Sequence, residues 1–276
     1  MRDNISYKRL VVLYFSPTGN ARKVAVAAGQ KIADMLELPL EQMSFTLPKE
    51  RERGFSFGPE DLVVCITPVY AGRLPNKMLP FIQEGIKGNG ATAVTMNVFG
   101  NRNYDNAPIE FYNEMKKNGF KVVGVAAVPT EHVFMESIGQ GRPNAQDMAE
   151  VLDFAGRVAE KILAGNPSTE LDVPGSYPAP YYIPLGVDNQ PVQFLKAKPQ
   201  THLHLCDSCG ACARRCPMGA ISFEDTSQVP GTCIKCQTCV KVCHTKAKHF
   251  TDENFLSHVQ MLVNNHSHPM QGVFVV

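Results

Sequence analysis

Arg9-Leu10-Val11-Val12-Leu13-Tyr14-Phe15-Ser16-Pro17-Thr18-Gly19-Asn20 decides how the first half of the chain is read. Arg9–Phe15 is a short apolar run rich in β-formers. It breaks into a turn of two hydroxyls, a glycine and an amide, and the chain passes straight into helical periodicity. Over Ala21–Leu36, Val24, Ala27, Ala28, Ile32, Met35 and Leu36 recur at the spacing of one helix face. Strand, tight loop and helix in this order open an α/β unit. The loop carries neither the G-x-G-x-x-G of a dinucleotide fold nor a Walker G-x-x-x-x-G-K-[ST]. Its exposed amides at a helix N-terminus, with the helix dipole behind them, still favour an anion. Ser16 and Thr18 add hydroxyl donors, and Gly19 permits close approach of the backbone. A plain strand–helix turn capped by Ser, Thr or Asn is the alternative.

Outward from this unit, strand and helix signals keep alternating. Gln42–Thr46 is a candidate second strand. Asp61–Thr67 is a near-continuous apolar run of the kind buried on both faces of a parallel sheet. Leu74–Gly85 reads as a helix opened by Pro75, Thr92–Phe99 as a strand, Tyr104–Asn118 as a helix and Lys121–Val128 as a strand. Gln146–Leu163 is an amphipathic helix stopped by Gly165 and Pro167. The expected fold is α/β: a doubly wound five-stranded parallel sheet over residues 1–165, with right-handed crossovers. Seven of the twenty prolines fall in 166–199, which predicts an extended linker. Tyr177, Tyr181, Tyr182, Ile183, Leu185 and Phe194 give that linker apolar side chains to pack on a domain.

Residues 203–250 repeat with a period of 27. Cys206-x2-Cys209-x2-Cys212-x3-Cys216 returns as Cys233-x2-Cys236-x2-Cys239-x3-Cys243, and Ala220 matches Ala247. Eight of the nine cysteines lie here, at a tight spacing that signals metal ligation and not a secreted disulfide framework. Thiolates are the soft ligands that iron–sulfur chemistry requires. Structural zinc sites are more often built from separated C-x2-C pairs, so this spacing suits zinc poorly.

Residues 200–250 resemble the bacterial-type two-cluster ferredoxins, small α+β modules. In these the fourth cysteine of each run ligates the other cluster. The resemblance implies two 4Fe–4S clusters, one on Cys206, Cys209, Cys212 and Cys243, the other on Cys233, Cys236, Cys239 and Cys216. Pro217 completes the usual Cys-Pro ending, whereas His244 stands where the second proline is expected and reads as a neighbour of the cluster. With all iron positions filled by thiolates, such clusters relay electrons.

Two later loops bear on the N-terminal half. Thr67-Pro68-Val69-Tyr70-Ala71-Gly72-Arg73 follows the third strand, and Phe99-Gly100-Asn101-Arg102-Asn103-Tyr104-Asp105 follows the fourth. In a sheet ordered 2-1-3-4-5 these loops and the Ser16–Asn20 loop meet at the topological switch point, where ligands bind. Tyr70 and Tyr104 are suited to stack on a planar ring. Together the three loops resemble the flavodoxin family over about 165 residues, and the resemblance implies FMN. Ser16, Thr18, Gly19, Asn20 and Ala21 would hold its phosphate. Pro68, Val69, Tyr70 and Gly72, with Phe99, Gly100, Asn101, Tyr104 and Asp105, would hold the ring. The whole chain is similar to flavodoxin–ferredoxin fusions found in anaerobes.

The remaining signals are plainer. Cys65, mid-strand, reads as a core thiol. His132, Arg142 and Arg102 lie in loops near the expected ring but read first as exposed. His258, His266 and His268, in the tail 251–276, show no ligand spacing, and the tail is expected to pack on a domain or to be partly ordered. The formal net charge of +1 gives no drive toward nucleic acid, and no apolar run reaches membrane-spanning length. A cytoplasmic electron carrier exchanging electrons with redox partner proteins is the leading expectation. An FMN-dependent oxidoreductase reducing a small substrate is the alternative, and a flavin-free docking module a third.

Overall fold

The computed structural model describes residues 7–165 and 167–276; residues 1–6 and 166, where the expected first domain and linker begin, lie outside the described residues. The chain runs β1 (Arg9–Tyr14), α1 (Asn20–Leu36), β2 (Leu40–Ser44), β3 (Asp61–Pro68), α2 (Leu79–Gly85), β4 (Thr92–Phe99), α3 (Ala107–Lys117), β5 (Lys121–Pro129) and α4 (Ala145–Leu163). The cysteine region adds β6 (Gln200–Thr201), α5 (Ala211–Arg214), α6 (Thr238–Lys241) and β7 (Lys248–His249). The tail adds α7 (Glu253–Asn265) and β8 (Val273–Val275).

The main sheet has the order β8-β5-β4-β3-β1-β2. Its five parallel strands stand in the expected 2-1-3-4-5 order. The sixth strand, β8, is a correction to the five-stranded expectation: it pairs antiparallel with β5, Val273 opposite Ala127 and Val275 opposite Val125. Alternation along β1 and β3 fills two cores. Leu10, Val12, Leu62 and Val64 pack under α1 and α4, while Val11, Leu13, Val63 and Cys65 pack under α2 and α3. Cys65 is fully buried, a core thiol as expected. Burying each such aliphatic side chain contributes about 1.5–3 kcal/mol.

Local chemistry sets the helix ends. Asn144 Oδ1 accepts from the Asp147 amide at 3.0 Å and Asp147 Oδ2 accepts from the Asn144 amide at 2.8 Å, a reciprocal cap that starts α4. Helix α2 begins at Leu79 and not at Leu74, because Pro75–Met78 close a turn of their own, the Met78 amide donating to the Pro75 carbonyl at 2.7 Å. Helix α3 begins at Ala107 and not at Tyr104, because Asp105 sits at φ 44° and stops the helix from extending backward.

Segment 167–199 lies against the first sheet's layer. Tyr112 Oη donates to the Thr169 carbonyl at 2.6 Å, Tyr177 Oη to Glu114 at 2.5 Å, and the Tyr182 amide to the Ala71 carbonyl at 3.0 Å. In the cysteine region β6 and β7 form an antiparallel pair, with α5 and α6 as single turns beneath. The chain then crosses back through α7 to β8. No helix among the described residues is long and apolar enough to cross a membrane.

Candidate redox site

The two cysteine runs fold alike. Each passes through a left-handed residue just after its second cysteine, Gly210 at φ 72° and Gln237 at φ 62°, and then enters a short helix. The fourth cysteine of each run lies near thiols of the other run. Cys216 lines one small cavity together with Cys233, Cys236 and Cys239, among Ile221, Ile234, Val229 and Phe250. On the other side Cys243 is a charge neighbour of Cys212. Amides point at the sulfurs: Ala220 donates to Cys216 Sγ at 3.3 Å and Lys235 to Cys233 Sγ at 3.4 Å. Four soft donors around an apolar space fit a cubane cluster.

Burial differs between the thiols. It pushes Cys236 up to about 11 and drives Cys239 and Cys233 upward as well. At Cys243 burial works the same way, but the Thr245 hydroxyl and the amides of residues 245, 247 and 248 outweigh it, and the thiol falls below its ordinary value. Cys209 is exposed. Beside it His244 Nε2 lies 3.0 Å from Asp207 Oδ2, so His244 borders the run as a neighbour paired to a carboxylate.

The Ser16–Asn20 loop is shaped by Gly19, at φ 97°. A Cβ there would meet nothing within 4 Å, so the space over the loop is open. Ser16 Oγ accepts from the Arg22 amide at 3.0 Å, which leaves its own O–H to donate outward. The amides of Thr18, Gly19 and Asn20 have no hydrogen-bond partner among the described residues, and Ala21 begins the first turn of α1 behind them. Unused donors at the start of a 17-residue helix fit a phosphate.

The loops after β3 and β4 touch each other. The Asn106 amide donates to the Gly72 carbonyl at 3.0 Å, and a Cβ on Gly72 would lie 2.7 Å from Asp105 Oδ2. The Val69 amide, just after Pro68, donates to the Val98 carbonyl at 2.8 Å, and Tyr70 closes a two-bond turn with Arg73. Burial raises the Tyr70 phenol, and the nearby Cys236 and Cys233 thiols add to the rise. Phe99 is in the core, edge-on to Tyr104. Asn101, the residue between Gly100 and Arg102, is fully buried, and its side chain is taken up by the tail. Its Nδ2 donates to the His266 and His268 carbonyls at 3.0 Å, and its Oδ1 accepts from the Met270 amide at 3.1 Å.

Three loop residues expected to be exposed are enclosed. Arg102 pairs with Asp105 and stacks 3.9 Å above the Tyr182 ring. Arg142 pairs with Asp147 and donates to Asn101 Oδ1 at 2.9 Å. Burial, and then His258 and Arg102, lower His132 to about 3, so it stays neutral.

The two halves of the candidate site adjoin. Thr238 Oγ1, on α6, donates to the Pro17 carbonyl at 2.9 Å, and Arg51 Nη2 donates to the Pro217 carbonyl at 2.7 Å. Thr238 and Gln237 were not apparent as site residues from the sequence. The repeat does mark Gln237, because a glutamine there replaces the glycine of the first run.

Residues 200–222 match the model of the 4Fe-4S binding domain. No curated protein matches the chain. Among solved structures, a flavodoxin from the domain Archaea is 18% identical, with 56% of this chain and 99% of that one covered and a TM-score of 0.40. Oxidised Flavodoxin 2 from Bacillus cereus is 17% identical, over 55% and 99%, at 0.41. The Streptococcus pneumonia TIGR4 flavodoxin is 17% identical, over 56% and 97%, at 0.39. The parallel strands of the first domain thus stand in the flavodoxin-like order 2-1-3-4-5, and a segment that matches the 4Fe-4S binding domain follows them in the chain.

Proposed function

We propose that the chain is an electron-transfer iron–sulfur flavoprotein that relays electrons between FMN, two 4Fe–4S clusters and external redox partner proteins. The observation that carries this reading is the seam between the halves: Thr238, inside the second cysteine run, is hydrogen-bonded to Pro17 of the anion loop. A cluster on Cys233, Cys236, Cys239 and Cys216 would then adjoin a flavin bound at the switch point, with Tyr70 between them. FMN would supply two-electron chemistry, and each cluster would pass electrons singly. The thiols would hold the clusters and the loop amides and hydroxyls the phosphate, while the linker and tail pack on the β3 and β4 loops. On this reading the working units are residues 1–165, 166–199, 200–250 and 251–276, and eight thiols held for cluster ligation suit a cytoplasmic carrier.

The test is anaerobic reconstitution followed by iron, sulfide and flavin analysis. Eight irons per chain, from about four per cubane, and one FMN are expected. Half that iron, or zinc in its place, refutes the two clusters. Turnover of a small substrate by the loaded protein, without any partner, would make it an oxidoreductase instead of a carrier.

A further inference from the structure

Lys248 is buried, only 3% exposed, on β7 inside the cysteine module. An ammonium taken out of water is costly unless an anion faces it. No carboxylate lies within ion-pair distance of its Nζ among the described residues. Asp225, whose carboxylate feels the Lys248 charge, turns its Oδ1 to the Ser227 amide and hydroxyl at 2.9 and 2.7 Å. The ammonium donates to the Thr226 carbonyl at 2.5 Å, and the Thr226 hydroxyl lies 3.9 Å from Cys206 Sγ. Lys248 is also the foremost charge acting on Cys212, and a lesser one on Cys239.

The internal repeat sharpens the point. Shifted by the 27-residue period, Lys248 falls on Ile221, equally buried at 3%. The second run therefore places an ammonium where the first places an aliphatic side chain. That asymmetry breaks the near-equivalence of the two sites.

We propose that Lys248 is the buried counter-charge of the cluster held by Cys206, Cys209, Cys212 and Cys243, and that it makes this cluster the more easily reduced of the two. The inference rests on the two-cluster reading. A cubane with four thiolates is anionic, and reduction adds one further electron to it. A fixed positive charge in a medium of low dielectric favours the more negative state. Lys248 acts through this field and ligates nothing, so it is a positioning charge. The electron would then come to rest on the cluster that carries the exposed Cys209, next to any partner docking there.

The experiment uses the full, anaerobically reconstituted chain and compares wild type with Lys248→Gln, Lys248→Ile and Lys248→Arg. Gln keeps a donor for the Thr226 carbonyl and loses the charge. Ile reproduces the first run, and Arg keeps the charge. Iron and sulfide content is read first, then the midpoint potential of each cluster by EPR-monitored titration, with the Cys206 cluster assigned by the signal that Cys206→Ser removes. The expected result is full iron in every variant. For Gln and Ile the reduction equilibrium of the Cys206 cluster should fall about ten-fold or more, which is about 59 mV for one electron. The other cluster should move less, and Arg should stay near wild type. Wild-type potentials in Lys248→Gln at full iron content overturn the counter-charge while leaving the two clusters standing. Absence of the clusters from wild type overturns both.

Discussion

Thr18 offers a hydroxyl beside three free amides, and its removal is a clean test of the anion loop. A hydrogen bond to a charged group contributes about 1.5–3 kcal/mol. Thr18→Ala should weaken FMN about ten- to a hundred-fold, and riboflavin, lacking the phosphate, should bind far less well than FMN. Fluorescence-quenching titration of both flavins measures this, and equal affinities would refute the phosphate assignment. Asp147 makes a second prediction at this scale. Burial disfavours its charged form, but Arg142 and the Asn144 amide outweigh burial and hold it below the ordinary carboxylate range. A depressed folded value means that the stabilisation is complete above about pH 4, the unfolded value, and is lost as pH falls further. Asp147→Asn should flatten that acid limb in denaturant titrations. Asp147→Ala should cost about 3–5 kcal/mol, because it strands a buried guanidinium. His132 has the same sign, in a higher pH window. Its folded value near 3 lies below the ordinary 6.5, so its neutral form supports folding above about pH 6.5, and that support drains as pH drops toward 3. The roles of Asn101 and Arg142 were not legible in the sequence, because their partners at 266–270 lie more than 120 residues away and no local pattern encodes such a contact.

At the scale of elements, the β1 loop, the parallel strands and the cysteine runs were legible for a definite reason, whereas the strand order came with the flavodoxin resemblance. Apolar runs buried on both faces, a glycine that must take φ 97° and a fixed thiol spacing are all written in contiguous residues. Strand β8 was not legible: three residues at the end of a histidine-bearing tail carry no period, and only the free edge of β5 makes them a strand. The cysteine runs yield the prediction proper to this scale. Cys216 faces the cavity of Cys233, Cys236 and Cys239, so Cys216→Ser should damage that cluster and spare the one on Cys206, Cys209 and Cys212, while Cys243→Ser should do the opposite. EPR of the two reduced variants distinguishes these outcomes; loss of the sequence-local cluster in each would refute the crossing.

For the molecule as a whole, the ferredoxin-type module is joined to the first domain twice, once through segment 167–199 and again through α7 and β8. It is a closed excursion from that domain and not a pendant on one string. A pendant must search for its docked pose, and such a search slows as the solvent thickens, gating every transfer event. A module clasped at both ends has no search to perform, and its effective concentration at the seam is already set. Electron exchange between bound flavin and the nearer cluster, followed after flash reduction, should therefore keep its rate when glycerol is added. In a chain ending at residue 269, which lacks β8, the same exchange should become slower and viscosity-dependent. A glycerol-sensitive rate in the intact chain would count against the clasp. If it holds, the last strand acts as a latch that turns two tethered carriers into one conductor.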